Sequence, residues 1–309
     1  MFKTIKEEEN DLLIEISGLS LSIVNSLRRV LMSDISNYAF DEIDIKENTT
    51  IFHNEFIEHR IGLIPIIMGG QMTFRLSIKN NDKNDRWVLS DDLVTIDEME
   101  GYEIMKGIPI LILREGEEIE IHAKASKGKG SDNIKYSVIE TVNFVQVKQL
   151  EEGEYPEEIL EYMYGDRMYY GRKYLLTKHN ILYKDVKEKY CMMLRTIMME
   201  PRKVMRMGII ELRRRLLEMR DIDIEEIKEH HNYYNFRIHG IDYIEANILV
   251  SQLLERDDIK IVTSTKKHFL DKFFEFKIET KTEEKISLLR IKEDEIEKVI
   301  KVIDNISKE

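Results

Sequence analysis

With 309 residues, 42% hydrophobic and 34% charged, the chain is long enough for two domains and has the balance of a soluble protein. Its longest apolar runs, such as Ile61 to Met68, fall far short of the ~20 residues a membrane-spanning helix needs, and MFKTIKEEEN lacks the pattern of a signal peptide, so an intracellular protein with no membrane partner is expected. A net charge of −12 argues against gripping a phosphate backbone directly, and one cysteine, Cys191, with eight histidines in no HExxH arrangement predicts no disulfide, no metal and no other cofactor.

Taken in chain order, Leu12 to Ile16 alternates and predicts a strand, after which Gly18 opens GLSLSIVNSLRRVLMSD, a segment with helical periodicity. At about 100° per residue, Ile23, Val24, Leu27, Val30 and Leu31 form an apolar stripe, while Ser22, Asn25, Ser26, Arg29 and Ser33 fall on the other side. Tyr38 to Ile45 predicts a second strand, followed by a short helix over Asn54 to Arg60 that exits through a Gly62/Pro65 turn. Residues 71 to 149 are mostly β in pattern, with runs Thr73 to Ile78, Ile108 to Leu113, Ile119 to Ala125 and Lys135 to Val147 between loops rich in Asn, Asp, Gly and Lys.

Residues 150 to 186 show no clear period and are assigned mainly to helix and loop. Strand character resumes over Lys189 to Met198, Pro201 suits a first helical turn, and Met205, Ile209, Leu212, Leu216 and Met219 mark a helix with a narrow packing seam. The charged stretch 221 to 232, with His230 and His231, predicts a linker. Beyond it come a strand (233 to 239), a helix (243 to 257), strands at 259 to 263 and 269 to 280, and a helix from about 292 with Ile296, Val299, Ile303 and Ile306 in its seam.

The Gly18 segment has a second copy. Gly240 stands 222 positions after Gly18, and the same shift puts Asn247 on Asn25, Leu249 on Leu27 and Leu253 on Leu31. With residues 47 to 186 set aside, both halves share one order: strand, helix, strand, strand, long helix. Burying one large aliphatic side chain contributes roughly 1.5–3 kcal/mol, so each stripe needs a partner surface, and two copies can supply each other. The expected fold is α+β, with two such units in pseudo-twofold arrangement and a mainly β domain inserted in the first. Residues 1–46 and 187–220 form the first unit, 47–186 the insertion, 221–232 the linker and 233–309 the second unit. Ile23, Leu27, Leu31, Asn247, Leu249, Leu253, Ile296 and Ile303 are expected to pair the units.

The run Asn25 to Leu31 (NSLRRVL), Ala39-Phe40-Asp41, Asn48-Thr49-Thr50 and above all Glu55 to Pro65 (EFIEHRIGLIP) resembles the α-like assembly subunit of DNA-dependent RNA polymerases, namely the third-largest eukaryotic subunit and its archaeal counterpart of the D type. Gly240-Ile241-Asp242, Asn247-Ile248-Leu249 and Phe276 to Thr280 resemble its smaller partner, the eleventh eukaryotic subunit or its archaeal counterpart of the L type. The whole looks like a fusion of the two, as found in some large cytoplasmic DNA viruses. For a viral chain that implies a place in the host cytoplasm, at the viral factory, and in the virion; otherwise it implies the site of cellular transcription. Gly116 to Ile119 and Lys127-Gly128-Lys129-Gly130 extend the likeness into the insertion. There Glu117 replaces a usual Gln, and Asn133-Ile134 replaces the His-Ala that normally precedes Lys135; the cysteine cluster of many relatives is absent.

The resemblance implies a non-catalytic platform that nucleates assembly of the two largest polymerase subunits, with small subunits of the tenth and twelfth type as further partners. DNA and RNA are then met only through the assembled enzyme, and the chain is monomeric by itself, one copy per complex. By resemblance the large-subunit interface comprises Asn25, Arg28, Arg29, His59, Arg60, Gly62, Pro65, Lys127, Gly128 and Gly130. On residues alone Arg29 and Asn25 form an ordinary solvated face; the surrounding motif turns them into contact residues. Ser251 takes Arg29's place in the second copy, so the binding faces of the two units are expected to differ.

Two other classes compete. Glu55, Glu58 and His59 are close enough in sequence for acid–base chemistry, but no Ser or Cys nucleophile motif accompanies them. Tyr162, Tyr164, Tyr169, Tyr170 and Tyr174 with Arg167, Arg172 and Lys173 are residues that stack on single strands, which is the alternative of a free-standing nucleic-acid-binding transcription factor; the acidic total weighs against it. Lys127 to Ser131 lacks the full GxxxxGK[ST] phosphate cradle, and Arg213-Arg214-Arg215 is assigned to a solvated helix face.

Overall fold

The computed structural model describes residues 2–68, 70–96, 101–150, 183–230, 232–281 and 287–306. The chain opens with β1 (Phe2–Glu7), β2 (Asp11–Ser17), α1 (Leu21–Ser33), β3 (Ser36–Asn48) and α2 (Asn54–Gly62). Short strands β4 (Ile66–Met68), β5 (Thr73–Lys79), β6 (Arg86–Leu89), β7 (Val94–Thr95), β8 (Tyr102–Ile104) and β9 (Pro109–Leu113) lead to the long β10 (Glu118–Lys129). Then come β11 (Ile139–Leu150), β12 (Tyr183–Thr196), α3 (Pro201–Asp221), β13 (Ile224–His230) and β14 (Tyr233–His239). α4 (Tyr243–Leu254), β15 (Ile259–Thr265), β16 (Phe273–Thr280) and α5 (Leu288–Ile306) complete it.

Two antiparallel sheets follow one plan. The first has the order β1-β2-β12-β11 and the other β13-β14-β16-β15, so each begins with a hairpin and closes on a second hairpin paired to its inner strand. Phe2 pairs with Ile16 as Ile224 pairs with Ile238; the register slips between Thr4 and Lys6 in β1 and between Glu226 and Lys228 in β13. On the far side it slips between Ile139 and Thr141 and between Ile259 and Ile261. The turn into each first helix is also shared. Gly18 (φ +76°) donates its N–H to the Glu188 carbonyl at 2.9 Å, and Gly240 (φ +73°) donates to the Lys272 carbonyl at 2.8 Å. A residue with a Cβ is strained in that left-handed backbone, which explains glycine at both places.

Period two places Leu12, Ile14 and Ile16 of β2, and Tyr234, Phe236 and Ile238 of β14, on the core side of their sheets. One apolar cluster includes these residues together with Ile23, Leu27 and Leu31 of α1, Ile209, Leu212 and Leu216 of α3, Leu249 and Leu253 of α4, and Ile296, Val299 and Ile303 of α5. The two sheets therefore share a core. α1 packs on both α3 and α4, and α3 packs along α5. A second core, around Phe40, Ile57, Ile61, Phe74, Leu113, Ile119 and Ile121, lies under α2 and the sheet β3-β10-β5-β7.

The structure revises several boundaries. The stretch expected as a linker, 221–232, contains β13, an edge strand of the second sheet, and β1 at the chain start is its counterpart. The expected insertion of 47–186 also divides differently: β3 pairs with β10 from Ser36 onward and puts Phe40 in the second core, whereas β11 returns to the first sheet. The last strand begins at Phe273, because residues 268–271 form a turn, and the last helix begins at Leu288. Residues 151–182, including the Tyr/Arg stretch, lie outside the described residues.

Within the shared core α1 crosses α3 closely at Gly208. A Cβ added to Gly208 would stand 2.4 Å from Leu31 Cδ2 and 3.0 Å from its Cγ, so only glycine lets the helices approach this far. Gly208→Ala is expected to lower stability by about 1–3 kcal/mol through overpacking, measured by urea unfolding. A wild-type midpoint would mean that the Leu31 side chain moves aside at no cost.

Candidate functional site

α1 and α4 leave a polar groove between them. It has a volume of about 530 Å³ and is lined by Leu21, Ser22, Asn25, Ser26 and Arg29 of α1, Phe144 of β11, and Asn247 and Ser251 of α4. The helical period puts corresponding residues of the two sheets' first helices, Asn25 and Asn247, on this one groove. Asn25 Oδ1 accepts from Arg28 Nε and Nη2 at 3.2 and 3.1 Å, one turn along the helix. Arg29 Nη2 stands 3.9 Å from Asp242 Oδ2 at the start of α4, a half-exposed pair that contributes little to stability.

Two expectations change here. Ser26, placed on the polar face, is buried, and Asn247, named among residues pairing the units, is exposed on the groove because it lies off the apolar stripe of α4. The other seven pairing residues, Ile23, Leu27, Leu31, Leu249, Leu253, Ile296 and Ile303, are in the shared core.

The end of α2 meets the connection between β10 and β11. His59 and Gly62 line a cavity of about 260 Å³ with Asp41, Glu58, Ile134 and Lys135. Asp41 and Lys135 form an ion pair, and hydrogen bonds from Lys135 and then Ser126 hold the Asp41 carboxyl below the usual carboxylate range. Arg60 turns inward instead of outward: Nη2 donates to the Pro109 carbonyl, and the guanidinium lies 5.7 Å from the Phe56 ring centroid. It ties α2 to β9. Gly62 is the last residue of α2, where a Cβ would meet the Phe40 carbonyl oxygen at an ordinary 3.6 Å, so it makes no special turn; the Pro65 carbonyl accepts from Met105 N–H at 3.0 Å.

Lys127 to Gly130, expected at the large-subunit interface, is the end of β10 and its exit. Lys127 is exposed. A Cβ on Gly128 would stand 2.5 Å from the Tyr136 ring, and one on Gly130 would stand 3.1 Å from the Met32 carbonyl oxygen. These glycines are explained by the close fit of β10 against Tyr136 and the end of α1. Ser131 N–H donates to the Ser33 carbonyl at 2.9 Å across the same junction.

The arginine run 213–215, read as a solvated face, is one at Arg213 and Arg214, which form half-exposed ion pairs, but not at Arg215. Arg213 bonds Asp304 of α5, and Arg214 bonds Glu211 and Glu218 on its own helix. Arg215 lies, mostly covered, between two carboxylates: Nη1 donates to Asp34 at the end of α1, and Nε and Nη2 donate to Glu245 in the first turn of α4. The three side chains keep only 16, 11 and 5% of their surface exposed for Arg215, Asp34 and Glu245. Glu245 also accepts from the Asp242 N–H at 3.0 Å, closing the start of α4. Sequence reasoning missed this triad. Its one legible signal was the D-x-x-E spacing of Asp242 and Glu245 before an apolar run.

Among the described residues no helix is long and apolar enough to cross a membrane, and no group of three His, Cys, Asp or Glu could hold a metal ion. What the fold defines is an α+β architecture in which two antiparallel sheets and the helices beside them bury their apolar faces in one shared core. Residues 14–296 match the family described as the RNA polymerase Rpb3/Rpb11 dimerisation domain, and the chain belongs to that family. It is 29% identical over 161 residues to DNA-directed RNA polymerase II subunit rpb3 of Dictyostelium discoideum, covering 43% of this chain and 53% of that one. To DNA-directed RNA polymerase subunit Rpo3 of Pyrobaculum calidifontis it is 30% identical over 138 residues, 39% of this chain and 53% of the relative. To subunit 3 of DNA-directed RNA polymerases II, IV and V of Arabidopsis thaliana it is 31% identical over 165 residues, 42% and 52%. The chain thus spans about half the length of the curated relatives it matches.

The ion pairs set two measurable expectations. Arg215→Ala, which leaves two buried carboxylates facing each other, is expected to cost on the order of 3–5 kcal/mol in chemical unfolding, far more than Arg214→Ala on the exposed side. The second concerns pH. The Arg214 hydrogen bond, against the cost of burial and with help from Lys129, lowers the Glu211 carboxyl from 4.5 to about 2. A lowered folded-state value stabilises above the unfolded value and is lost as pH falls, so Glu211's contribution should be intact above about 5 and fade toward 2. Melting temperatures across that window should fall less steeply for Glu211→Gln than for wild type.

Proposed function

We propose that the chain is a non-catalytic assembly platform of a DNA-dependent RNA polymerase, built from two α-like units joined in one polypeptide. The observation that carries this reading is the core shared by two sheets with the same strand order, the same register slips and the same glycine turns. In it, the sheet of β1, β2, β11 and β12 with α1 and α3 is the larger unit, of the third-largest-subunit type. The sheet of β13 to β16 with α4 and α5 is the smaller, of the eleventh-subunit type. Membership of the Rpb3/Rpb11 dimerisation family supports it. Joining the units raises their effective concentration for each other, so no second copy is needed and the chain is a monomer by itself.

The first unit receives the second-largest polymerase subunit, through the groove face of α1 with Asn25, Arg28 and Arg29, and through the surface at His59, Leu63, Pro65 and Lys127. Arg60, Gly62, Gly128 and Gly130 act behind that surface, by holding α2 and β10 in place. The largest subunit joins nearer the second unit, and small subunits of the tenth and twelfth type brace the platform. DNA and RNA are contacted only through the assembled enzyme. The reading extends to a large cytoplasmic DNA virus as source, with the chain in the viral factory and virion. The joining of the units and the Ile, Lys and Asn richness of an AT-rich genome support that extension.

Co-purification with the second-largest subunit tests the platform. Wild type should recover it, and Arg29→Glu should recover at least tenfold less at unchanged melting temperature, with Arg29→Gln separating lost contact from repulsion of Asp242. Recovery of nothing by wild type would sink the reading; equal recovery by all three would remove Arg29 from the interface.

A further inference from the structure

Between β15 and β16 the chain turns through Lys266 to Lys272, KKHFLDK. The turn is closed by its own hydrogen bonds. Asp271 N–H donates to the His268 carbonyl at 3.0 Å, His268 N–H to Asp271 Oδ2 at 2.8 Å, and Leu270 N–H to His268 Nδ1 at 3.2 Å. Its base is held to the glycine turn of α4 by the bond from Gly240 to the Lys272 carbonyl. Three backbone N–H groups are thus satisfied inside the turn, and at its tip it presents two apolar side chains. Phe269 is 75% and Leu270 69% exposed, the two highest values for large apolar side chains among the described residues.

Adjacent apolar side chains on an ordered tip lose little freedom when they bind, which is how anchor residues of interfaces work. The charge around the tip says what they meet. Three lysines and one aspartate lie in these seven residues, on a chain of net charge −12, and the aspartate is used to close the turn. Lys267 pairs with Glu275 at 2.9 Å, and Lys266 lies 5.7 Å from the Phe274 ring centroid, so two of these cations stand in fixed places around the tip. A rim of positioned cations matches individual carboxylates on a protein better than the diffuse charge of a lipid surface.

We infer that the β15–β16 turn is a docking knob, seating Phe269 and Leu270 in an apolar socket rimmed by carboxylates on another polypeptide of the assembled polymerase. The inference rests on the platform reading, and it places a contact on the second unit that neither the groove nor α2 supplies.

The test uses the full chain co-expressed with the polymerase's other subunits, with a photo-reactive phenylalanine analogue in place of Phe269. Cross-links should form to one partner subunit, at apolar residues flanked by Asp or Glu. Phe269→Ser with Leu270→Ser should reduce recovery of that subunit on the order of 100-fold, at unchanged melting temperature and with the partner held through Arg29 retained. Lys267→Glu with Lys272→Glu should weaken the same subunit most at low salt. Wild-type recovery by the serine variant, cross-links confined to this chain, or Phe269-dependent binding to phosphatidylserine vesicles would overturn the knob while leaving the platform standing. Wild type that recovers no polymerase subunit would overturn both.

Discussion

Arg215 is the residue on which the rest of the arrangement depends. Its guanidinium is largely withdrawn from water, and it is matched by a carboxylate from the end of α1 and another from the start of α4. An apolar core attracts without direction and sets the position of the helix pairs only through the fit of its side chains. A largely buried ion triad adds direction, because any displacement leaves a desolvated charge without its partner. One side chain on α3 thereby fixes where α1 ends relative to where α4 begins. The exposed pairs from Arg213 to Asp304 and from Arg220 to Glu297 join α3 to α5 as well, but water screens them.

The second core is coupled to the first at that same junction. β10 runs along β3 as far as Ser36, and Gly128 and Gly130 let its end lie against Tyr136 and the last turn of α1. Lys129 reaches Glu211 on α3 at 2.9 Å. The end of α2, pinned by Arg60 to β9, is therefore carried in a set position relative to α1. Surfaces from the two cores are thereby held in one arrangement, and surfaces so held need no ordering when they bind.

Much of the candidate site was legible and part was misassigned, for reasons visible in single residues. Asn25 and Arg29 fall opposite the stripe of α1 by period alone, and they line the groove. Nothing local distinguishes Arg60 from Arg29, yet one is held by a backbone carbonyl and the other faces the groove. Gly62 and Gly128 look alike in a motif; only the neighbouring Tyr136 ring makes Gly128 obligatory. Arg215 resembled its solvated neighbours Arg213 and Arg214 because its carboxylate partners, Asp34 and Glu245, lie far off in sequence.

The sequence by itself determined the elements whose apolar residues recur with a clean period: β2, α1, α3 and the seam of α5, together with the glycine turns and the order common to both halves. It also carried the motifs that mark the family. The edge strands β1 and β13 escaped it, because exposed edges are rich in Lys and Glu and lose the alternation that betrays a strand. The pairing of Arg215, the inward turn of Arg60, the burial of Ser26 and the outward Phe269 were decided only by tertiary structure. Each depends on which surface lies opposite, and periodicity along one segment says which face is apolar but not what that face or its opposite will meet.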